Sequence, residues 1–187
     1  LYPSILRSLN MSPETIVGQV RQTLTKELLE SHNYKIAEAW EGKFSSPEYD
    51  LVMEKDTNVI LNLDFEDKST IEATGAQIYD MVFHGEHKWM ITANGTIFKQ
   101  DIQGIIPSLL ERWYAERQVM QEKKKEAITA GDSTAIAHWH NRQLVKKINL
   151  NSLYGALLNK GCRFYDKRIG QSTTLTGRCI TRHMGAK

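Results

Sequence analysis

The sequence from Ser108 to Thr129, SLLERWYAERQVMQEKKKEAIT, contains neither glycine nor proline over 22 consecutive residues. At about 1.5 Å per residue it predicts a helix about 33 Å long, with Pro107 at its first position. Ala130-Gly131-Asp132-Ser133 follows, in which the glycine ends one helix and the aspartate or serine caps the next. The second helix is predicted from Thr134 to about Asn159. Two long helices joined by so short a turn lie antiparallel, so this stretch predicts a helical hairpin.

Two basic residues fall at nearly the same height in this hairpin. Arg117 lies fourteen residues before Gly131, and Lys147 lies sixteen residues after it. Both are therefore about 21–24 Å from the tip, which allows two cations to face one site. Lys147, Asn151 and Tyr154 also share one face of the second helix. A cation, an amide and an aromatic ring in line suit a nucleotide, with its phosphate, base edge and stacking surface.

The same residues allow other interpretations. Arg117, Gln121 and Lys124 share a face of the first helix, but the run Lys123-Lys124-Lys125 is typical of a helix face exposed to water. An asparagine within a helix can serve only to bend it. Besides a nucleotide-binding enzyme, the hairpin is therefore consistent with a non-catalytic nucleic-acid-binding hairpin or with a purely structural coiled-coil hairpin.

Two further segments have helical patterns. Ser12-Pro13 has the pattern of a helix start, and the apolar residues that follow recur every fourth position: Ile16, Val20, Leu24 and Leu28. Ser69 and Glu72 have the spacing of a capping box, and a second apolar stripe follows at Ile71, Ile78 and Val82. Both segments are predicted as helices.

Two segments are predicted as β-structure. Val59–Phe65 reads as a strand with Leu61, Leu63 and Phe65 on one face. Asn94-Gly95 lies between the apolar segments Trp89–Ile91 and Thr96–Phe98, and this pattern predicts a β-hairpin.

Composition excludes several protein classes. With 41% hydrophobic and 25% charged residues, the chain has the composition of a soluble globular domain rather than of a disordered segment. No run approaches the ~18 apolar residues of a membrane-spanning helix. The two cysteines, Cys162 and Cys179, form no C-x-x-C pair, which excludes a disulfide framework and a zinc ribbon and favours a reducing, cytoplasmic setting.

The net charge of +2 conceals a strong asymmetry. Residues 1–44 are neutral, residues 45–90 carry ten acidic and three basic residues, and residues 91–187 carry sixteen basic and seven acidic residues. The basic second half suggests a polyanionic partner such as nucleic acid or a nucleotide phosphate, although many solvated helices are equally basic. The chain starts with leucine and shows no leader, so we expect a piece of a larger protein, with a processed mature chain as the alternative.

Four motifs occur in order along the chain. They are Leu1-Tyr2-Pro3-Ser4-Ile5; Ala93-Asn94-Gly95 with the later Gly104–Pro107; Lys147–Gly155, which reads K-x-x-x-N-S-x-Y-G; and Thr174–Arg178, which reads T-x-x-G-R. They resemble the end of motif A, the lead into the fingers, motif B and a palm element of family-B DNA polymerases. Arg163–Asp166 also has a counterpart there. The resemblance is strongest to the replicative polymerases of large tailed bacteriophages.

This resemblance implies an α+β fold that is predominantly helical, in which a long antiparallel helical hairpin, the fingers, is attached to part of a palm sheet. It also implies a division of the chain: a palm segment after motif A (1–44), an acidic insert (45–90), a lead-in (91–106), the fingers hairpin (107–158) and a further palm segment (159–187). The acidic insert matches the family only by position.

The resemblance also implies roles for individual residues. Leu1 and Tyr2 match positions whose backbone amides hold the incoming triphosphate, and the Tyr2 ring matches one that packs under the sugar and excludes a 2′-hydroxyl. Arg117 and Lys147 match the cations that grip the triphosphate, and Asn151 matches a residue that borders the same pocket. The implied DNA-binding residues are Tyr154, Gly155, Thr176, Gly177 and Arg178.

Three departures from the family pattern matter. Gln121 stands where a second cation of the first helix is usual, which leaves Lys124 as its candidate replacement in nucleotide binding. Leu158 replaces a usual glycine. The metal-binding aspartates would lie before Leu1 and after Lys187, and the exonuclease domain is also outside the chain. We therefore assign no catalytic or metal-binding residue to this chain and expect it to be inactive alone.

The implied parent adds dNTPs to a primer 3′ end on a DNA template during phage genome replication. It uses two Mg²⁺ ions whose ligands lie outside this chain. The implied partners are primer–template DNA, dNTPs, and a sliding clamp and other replisome proteins that bind through regions elsewhere. No membrane partner is expected, and the implied location is the cytoplasm of an infected bacterial host.

Overall fold

The structure is a computed structural model that describes residues 1–21, 45–54 and 57–186. Within these ranges there are six α-helices: α1 (Tyr2–Ser8), α2 (Pro47–Met53), α3 (Gly75–Phe83), α4 (Ile105–Ala130), α5 (Ser133–Leu157) and α6 (Lys167–Gly185). The strands are β1 (Ile16–Arg21), β2 (Ile60–Phe65), β3 (Thr70–Thr74), β4 (Trp89–Ile91) and β5 (Thr96–Lys99). They form one sheet in the order β3-β2-β1-β5-β4, in which all neighbours are antiparallel. The expected α+β class with a helical majority is confirmed.

Helices α4 and α5 form the predicted hairpin. Gly131 ends α4 in the left-handed conformation at φ 71°, and the Asp132 side chain caps α5 by accepting a hydrogen bond from the Ala135 amide at 2.9 Å. Lys124 lies against His140, and Arg117 lies against Gln143, so residue numbers rise along one helix as they fall along the other. The antiparallel arrangement is confirmed.

The predicted limits of the hairpin helices differ slightly from the observed ones. Helix α4 begins at Ile105 rather than at Pro107, and α5 begins at Ser133 and ends at Leu157. Pro107 still lies in the first turn of α4, where a backbone N–H has no partner within the helix, so its ring is tolerated there.

The Asn94-Gly95 hairpin is confirmed. Gly95 has φ 78°, which favours glycine, and the turn joins β4 to β5 with Ile91 opposite Ile97. The strand predicted over 59–65 is also confirmed as β2, in which Leu61 and Leu63 are fully buried.

A β-bulge between Ile16 and Gly18 lets strand β1 contribute to two hydrophobic clusters. Val20 belongs to the first cluster, with Ile97 and the apolar residues of β2, α2 and α3. Ile16 belongs to the second, with Phe98 and residues of α1, α4, α5 and α6. In an unbroken strand Ile16 and Val20 would point to the same face, so the bulge provides the change of face.

The helix predicted after Ser12-Pro13 is wrong. Pro13–Thr15 forms a single 3₁₀ turn, and Ile16–Arg21 is a strand. Apolar residues at every fourth position fit a period of two as well as a period of 3.6, and β-branched Ile16, Val17 and Val20 favour the strand. Leu24 and Leu28 lie outside the described residues.

The helix start at Ser69 is also wrong. Residues Thr70–Thr74 form β3, and α3 begins at Gly75 with Thr74 as its cap. The capping box joins Thr74 to Gln77, whose side chain accepts a hydrogen bond from the Thr74 amide at 2.9 Å. Ile78 and Val82 are buried on α3 as predicted.

Residues 45–90 pair with strands from both sides of that segment. β2 pairs with β1, and β4 pairs with β5. Glu66, in the turn after β2, forms an ion pair with Arg168 at the start of α6, and Arg168 also pairs with Asp166. The five-part division of the chain remains a prediction. Within the described ranges, no helix combines the length and hydrophobicity needed to span a bilayer.

Candidate nucleotide-binding site

A cavity of about 300 Å³ lies where α1 meets the base of the α4–α5 hairpin. Its walls come from three helices and the residue before α1: Leu1, Pro3, Ser4, Arg7, Leu110, Tyr114, Arg117, Lys147, Leu150 and Asn151. Arg117 and Lys147 therefore face one space, as the count from the hairpin tip indicated. Leu1 and Asn151, which the sequence also singled out, line the same cavity.

Packing between α1 and the hairpin fixes the position of this cavity in the fold. Leu110 and Leu150 are buried in the second hydrophobic cluster, together with Ile5 and Leu6 of α1. Buried apolar residues thus join the three helices directly beside the polar residues of the cavity. The Arg117 Nε atom also donates a hydrogen bond to Gln143 Oε1 at 3.3 Å, which orients its guanidinium.

Among the residues that the structure describes, three basic side chains and no acidic one line the cavity. Arg7, Arg117 and Lys147 supply the positive charge, and Ser4 and Asn151 supply neutral polar groups. Such a lining attracts anions, and the planar guanidinium groups suit the paired oxygens of a phosphate.

The same lining does not fit the two Mg²⁺ ions that the family resemblance implies. Mg²⁺ is held by carboxylate oxygens, and no described residue brings one to the cavity. Within the described part of the chain, no three His, Cys, Asp or Glu side chains lie close enough together to hold a metal ion.

Tyr2 and Tyr154 stack on each other next to the cavity. Their ring centroids are 4.4 Å apart with an interplanar angle of 27°, and the Tyr154 hydroxyl is 2.5 Å from Thr174 Oγ1 on α6. Gly177 on α6 lies close to Tyr2, since a Cβ atom added there would be 3.7 Å from the Tyr2 ring and 3.4 Å from the Ile5 side chain. One contact group thus joins three of the four sequence motifs.

The remaining predicted residues lie elsewhere. Lys124 is seven residues nearer the tip than Arg117, about 10 Å along the helix, and its Nζ atom lies 3.2 Å from His140 Nδ1. It is not among the residues that line the cavity. Gly155 is exposed, with open space at its Cα, and Thr176 accepts a hydrogen bond from the Ala93 amide. Arg178 is exposed on α6.

Arg7, Tyr114 and Thr174 were missed by the sequence reasoning. Thr174 stands in the T-x-x-G-R motif, but no spacing rule pairs it with Tyr154. Arg7 follows Pro3 by four residues and Ser4 by three, so a helix over 2–8 would have placed the three residues on one face. A proline near the start of such a segment is a helix-start signal that was available.

Comparison with known proteins places the chain in a family. The sequence matches DNA polymerase family B over residues 1–185. The DNA-directed DNA polymerase of Escherichia phage RB69 is 28% identical over 195 aligned positions, which cover 95% of this chain and 20% of the relative. That of Enterobacteria phage T4 is 26% identical, with the same coverages. The DNA polymerase of Pyrococcus glycovorans is 32% identical over 109 positions, which cover 58% of this chain and 12% of the relative.

The chain thus spans about a fifth of the length of the phage relatives. Its fold is similar to that of a solved family B DNA polymerase from the hyperthermophilic archaeon Pyrobaculum calidifontis, with a TM-score of 0.56 and 18% identity. That alignment covers 99% of this chain and 16% of the archaeal chain. Because the family match extends over nearly all residues, this chain belongs to DNA polymerase family B.

Proposed function

We propose that the protein containing this chain extends the 3′ end of a primer with dNTPs on a DNA template, and that the cavity between α1 and the hairpin binds the incoming triphosphate. The observation that carries this proposal is the convergence of Arg117 and Lys147, from two helices, on one cavity whose described lining residues include no acidic side chain. Phosphoryl transfer depends mainly on positioning and charge neutralisation, and this lining supplies both to a phosphate chain.

Each residue of the cavity has a distinct part in this proposal. Arg117 binds phosphate oxygens through its fork of donors, and Lys147 acts as a point charge. Asn151 adds a neutral donor at the same wall, and the backbone at Leu1 and Tyr2 holds the phosphates from α1. The stacked rings of Tyr2 and Tyr154 lie beside the sugar of the incoming nucleotide, where the Tyr2 ring leaves no room for a 2′-hydroxyl.

Contacts with primer–template DNA are assigned to the neighbouring residues of motif B and of α6. These are Tyr154, Gly155, Thr176, Gly177 and Arg178. Ligands for Mg²⁺ are assigned to parts of the protein outside this chain, and we propose that the chain alone has no polymerase activity. A sliding clamp and other replisome proteins would bind elsewhere on the protein. The phage relatives support a role in phage genome replication in the host cytoplasm.

Single-nucleotide primer extension by the full-length protein tests the proposal. Arg117→Ala and Lys147→Ala should each lower kcat/KM for dNTP by about 10- to 100-fold, the range expected for losing a hydrogen bond to a charged group. Arg112→Ala is the matched control, because Arg112 lies exposed on the same helix and its ion pair with Glu116, at 3.9 Å, is weak. It should retain the wild-type kcat/KM.

Wild-type kcat/KM in both cavity variants would contradict the proposed site. Salt-sensitive DNA binding without template-dependent extension by the full-length protein would instead support the alternative of a non-catalytic nucleic-acid-binding hairpin. Extension by the 187-residue chain alone would show that catalytic carboxylates lie within it.

A further inference from the structure

Arg7 lines the same cavity as Arg117 and Lys147, but from a different part of the fold. It lies in the last turn of α1, whereas the other two cations lie on the hairpin. Neither charge counting nor helix spacing pointed to this residue. Its position adds a third positive charge to the cavity, beside the two hairpin cations.

Two residues of α4 lie beside the Arg7 side chain. Its guanidinium carbon lies 5.5 Å from the centroid of the Tyr114 ring, and its Nη2 atom lies 3.8 Å from Glu111 Oε1. Glu111 does not line the cavity; it lies in the neighbouring depression, which Arg7 also borders. Arg7 therefore borders both spaces, whereas Glu111 borders only the neighbouring depression.

The Arg7 guanidinium retains its capacity to donate. The 3.8 Å separation from Glu111 is longer than a hydrogen bond, and within the described ranges no hydrogen bond from this guanidinium is present. A guanidinium carries five N–H donors in a fork that fits two phosphate oxygens at once. A cation that lies against an aromatic ring, with its donors available, is arranged to receive an anion.

We propose that Arg7 is a third phosphate-binding residue of this cavity, and that it binds the phosphate chain of a nucleoside triphosphate together with Arg117 and Lys147. The inference rests on the proposed function and names a contact beyond it. Tyr114 acts as a positioning residue, because its ring keeps the guanidinium at the cavity wall. The pyrophosphate product carries the same groups, so Arg7 should bind it as well.

A purely structural role makes a different prediction. If Arg7 only fastened α1 to α4, removing either partner of the Arg7–Glu111 pair would have the same effect. That effect would be small, because exposed ion pairs contribute little to stability. If Arg7 binds phosphate, neutralising Arg7 should weaken nucleotide binding, whereas neutralising Glu111 should not.

The test is steady-state single-nucleotide extension by the full-length protein, with inorganic pyrophosphate as a competing probe. Arg7→Gln should raise KM for dNTP and the inhibition constant of pyrophosphate by about tenfold or more, with little change in kcat. Arg7→Lys should give intermediate values for both, since it keeps the charge but loses the fork. Glu111→Gln should leave KM unchanged or lower it.

Unfolding temperatures of all variants are measured in parallel. Wild-type KM and pyrophosphate inhibition in a folded Arg7→Gln protein would overturn the inference, as would equal increases in Arg7→Gln and Glu111→Gln. Should Arg7→Gln fail to fold, Arg7→Lys decides by the same two constants. If Arg117→Ala and Lys147→Ala lower activity while the Arg7 variants do not, this inference alone fails. If none of the four lowers activity, the proposed site fails with it.

Discussion

Tyr2 shows how a single side chain is held in place by groups far apart in sequence. Its ring stacks on Tyr154 at 4.4 Å, and Tyr154 is in turn fixed by the hydrogen bond between its hydroxyl and Thr174. Gly177 lies close to the Tyr2 ring, so a side chain at position 177 would contact that ring. Ring stacking in such offset arrangements adds about 0.5–1.5 kcal/mol to the energy of burial, so the Tyr2 ring has a well-defined position.

Replacing Tyr2 should therefore change the choice between ribose and deoxyribose. In the full-length protein, Tyr2→Ala should raise incorporation of rNTP relative to dNTP by about 10- to 100-fold, because removing the ring opens space for one hydroxyl. Tyr2→Phe keeps the ring and should keep wild-type selectivity. Single-nucleotide extension with matched rNTP and dNTP measures the ratio. An unchanged ratio in Tyr2→Ala would contradict the role assigned to this ring.

The hairpin cations could be located from the sequence, but the third cation of the cavity could not. Arg117 and Lys147 could be paired because both lie on long helices whose rise per residue is known. Arg7 lies on a helix of seven residues, too short for a periodic pattern. Lys124 shows the opposite error: it shares a helix face with Arg117, but seven residues carry it too far along the axis to line the cavity.

At the scale of elements, a strand and a helix were confused where the apolar pattern was compatible with both. Ile16 and Val20 fit either period, and only pairing with β2 and β5 decides for the strand. Gly18 is informative in retrospect, since a side chain there would clash with the carbonyl oxygen of Asp64 on β2. A glycine within a strand often marks such a close approach of two backbones.

Glu14 links the turn before β1 to the first turn of α4. Its carboxylate accepts hydrogen bonds from the Ile105 amide at 2.5 Å and from the Ser12 hydroxyl at 2.7 Å. Partial burial raises the pKa of Glu14, but these hydrogen bonds outweigh that effect, and the pKa lies below the usual value of 4.5. A negative charge at a helix N-terminus is also favoured by the helix dipole.

This contact should make the hairpin less stable in acid. Because the pKa of Glu14 is lower in the folded state, its stabilising effect is complete above the unfolded-state pKa and is lost as pH falls through the folded-state pKa. Glu14→Gln should lower the free energy of unfolding by about 0.3–1 kcal/mol at neutral pH and by less near pH 3. Urea denaturation of the 187-residue chain at both pH values measures this difference. Equal losses at both values would contradict the role of the carboxylate charge.

At the scale of the whole molecule, the charge asymmetry does not divide the chain into separate bodies. The acidic segment 45–90 contributes β2 and β3 to the same sheet as β1 and β5, and Glu66 pairs with Arg168 of the basic half. Pairing between β1 and β5 joins residues about eighty positions apart, and no local pattern encodes that choice. The helical hairpin could be predicted because its two helices follow each other in sequence and are joined by a short turn.

The bulge in β1 has a consequence for cooperativity. Because Ile16 enters one hydrophobic cluster and Val20 the other, neither cluster can melt without pulling the same strand from its partner. The two clusters should therefore unfold in a single transition. Trp89 packs against the first cluster and Trp113 against the second. Single-tryptophan variants that keep only Trp89 or only Trp113 therefore report on the unfolding of one cluster each. Their fluorescence should give the same urea midpoint, and two distinct midpoints would show that the clusters are independent folding units.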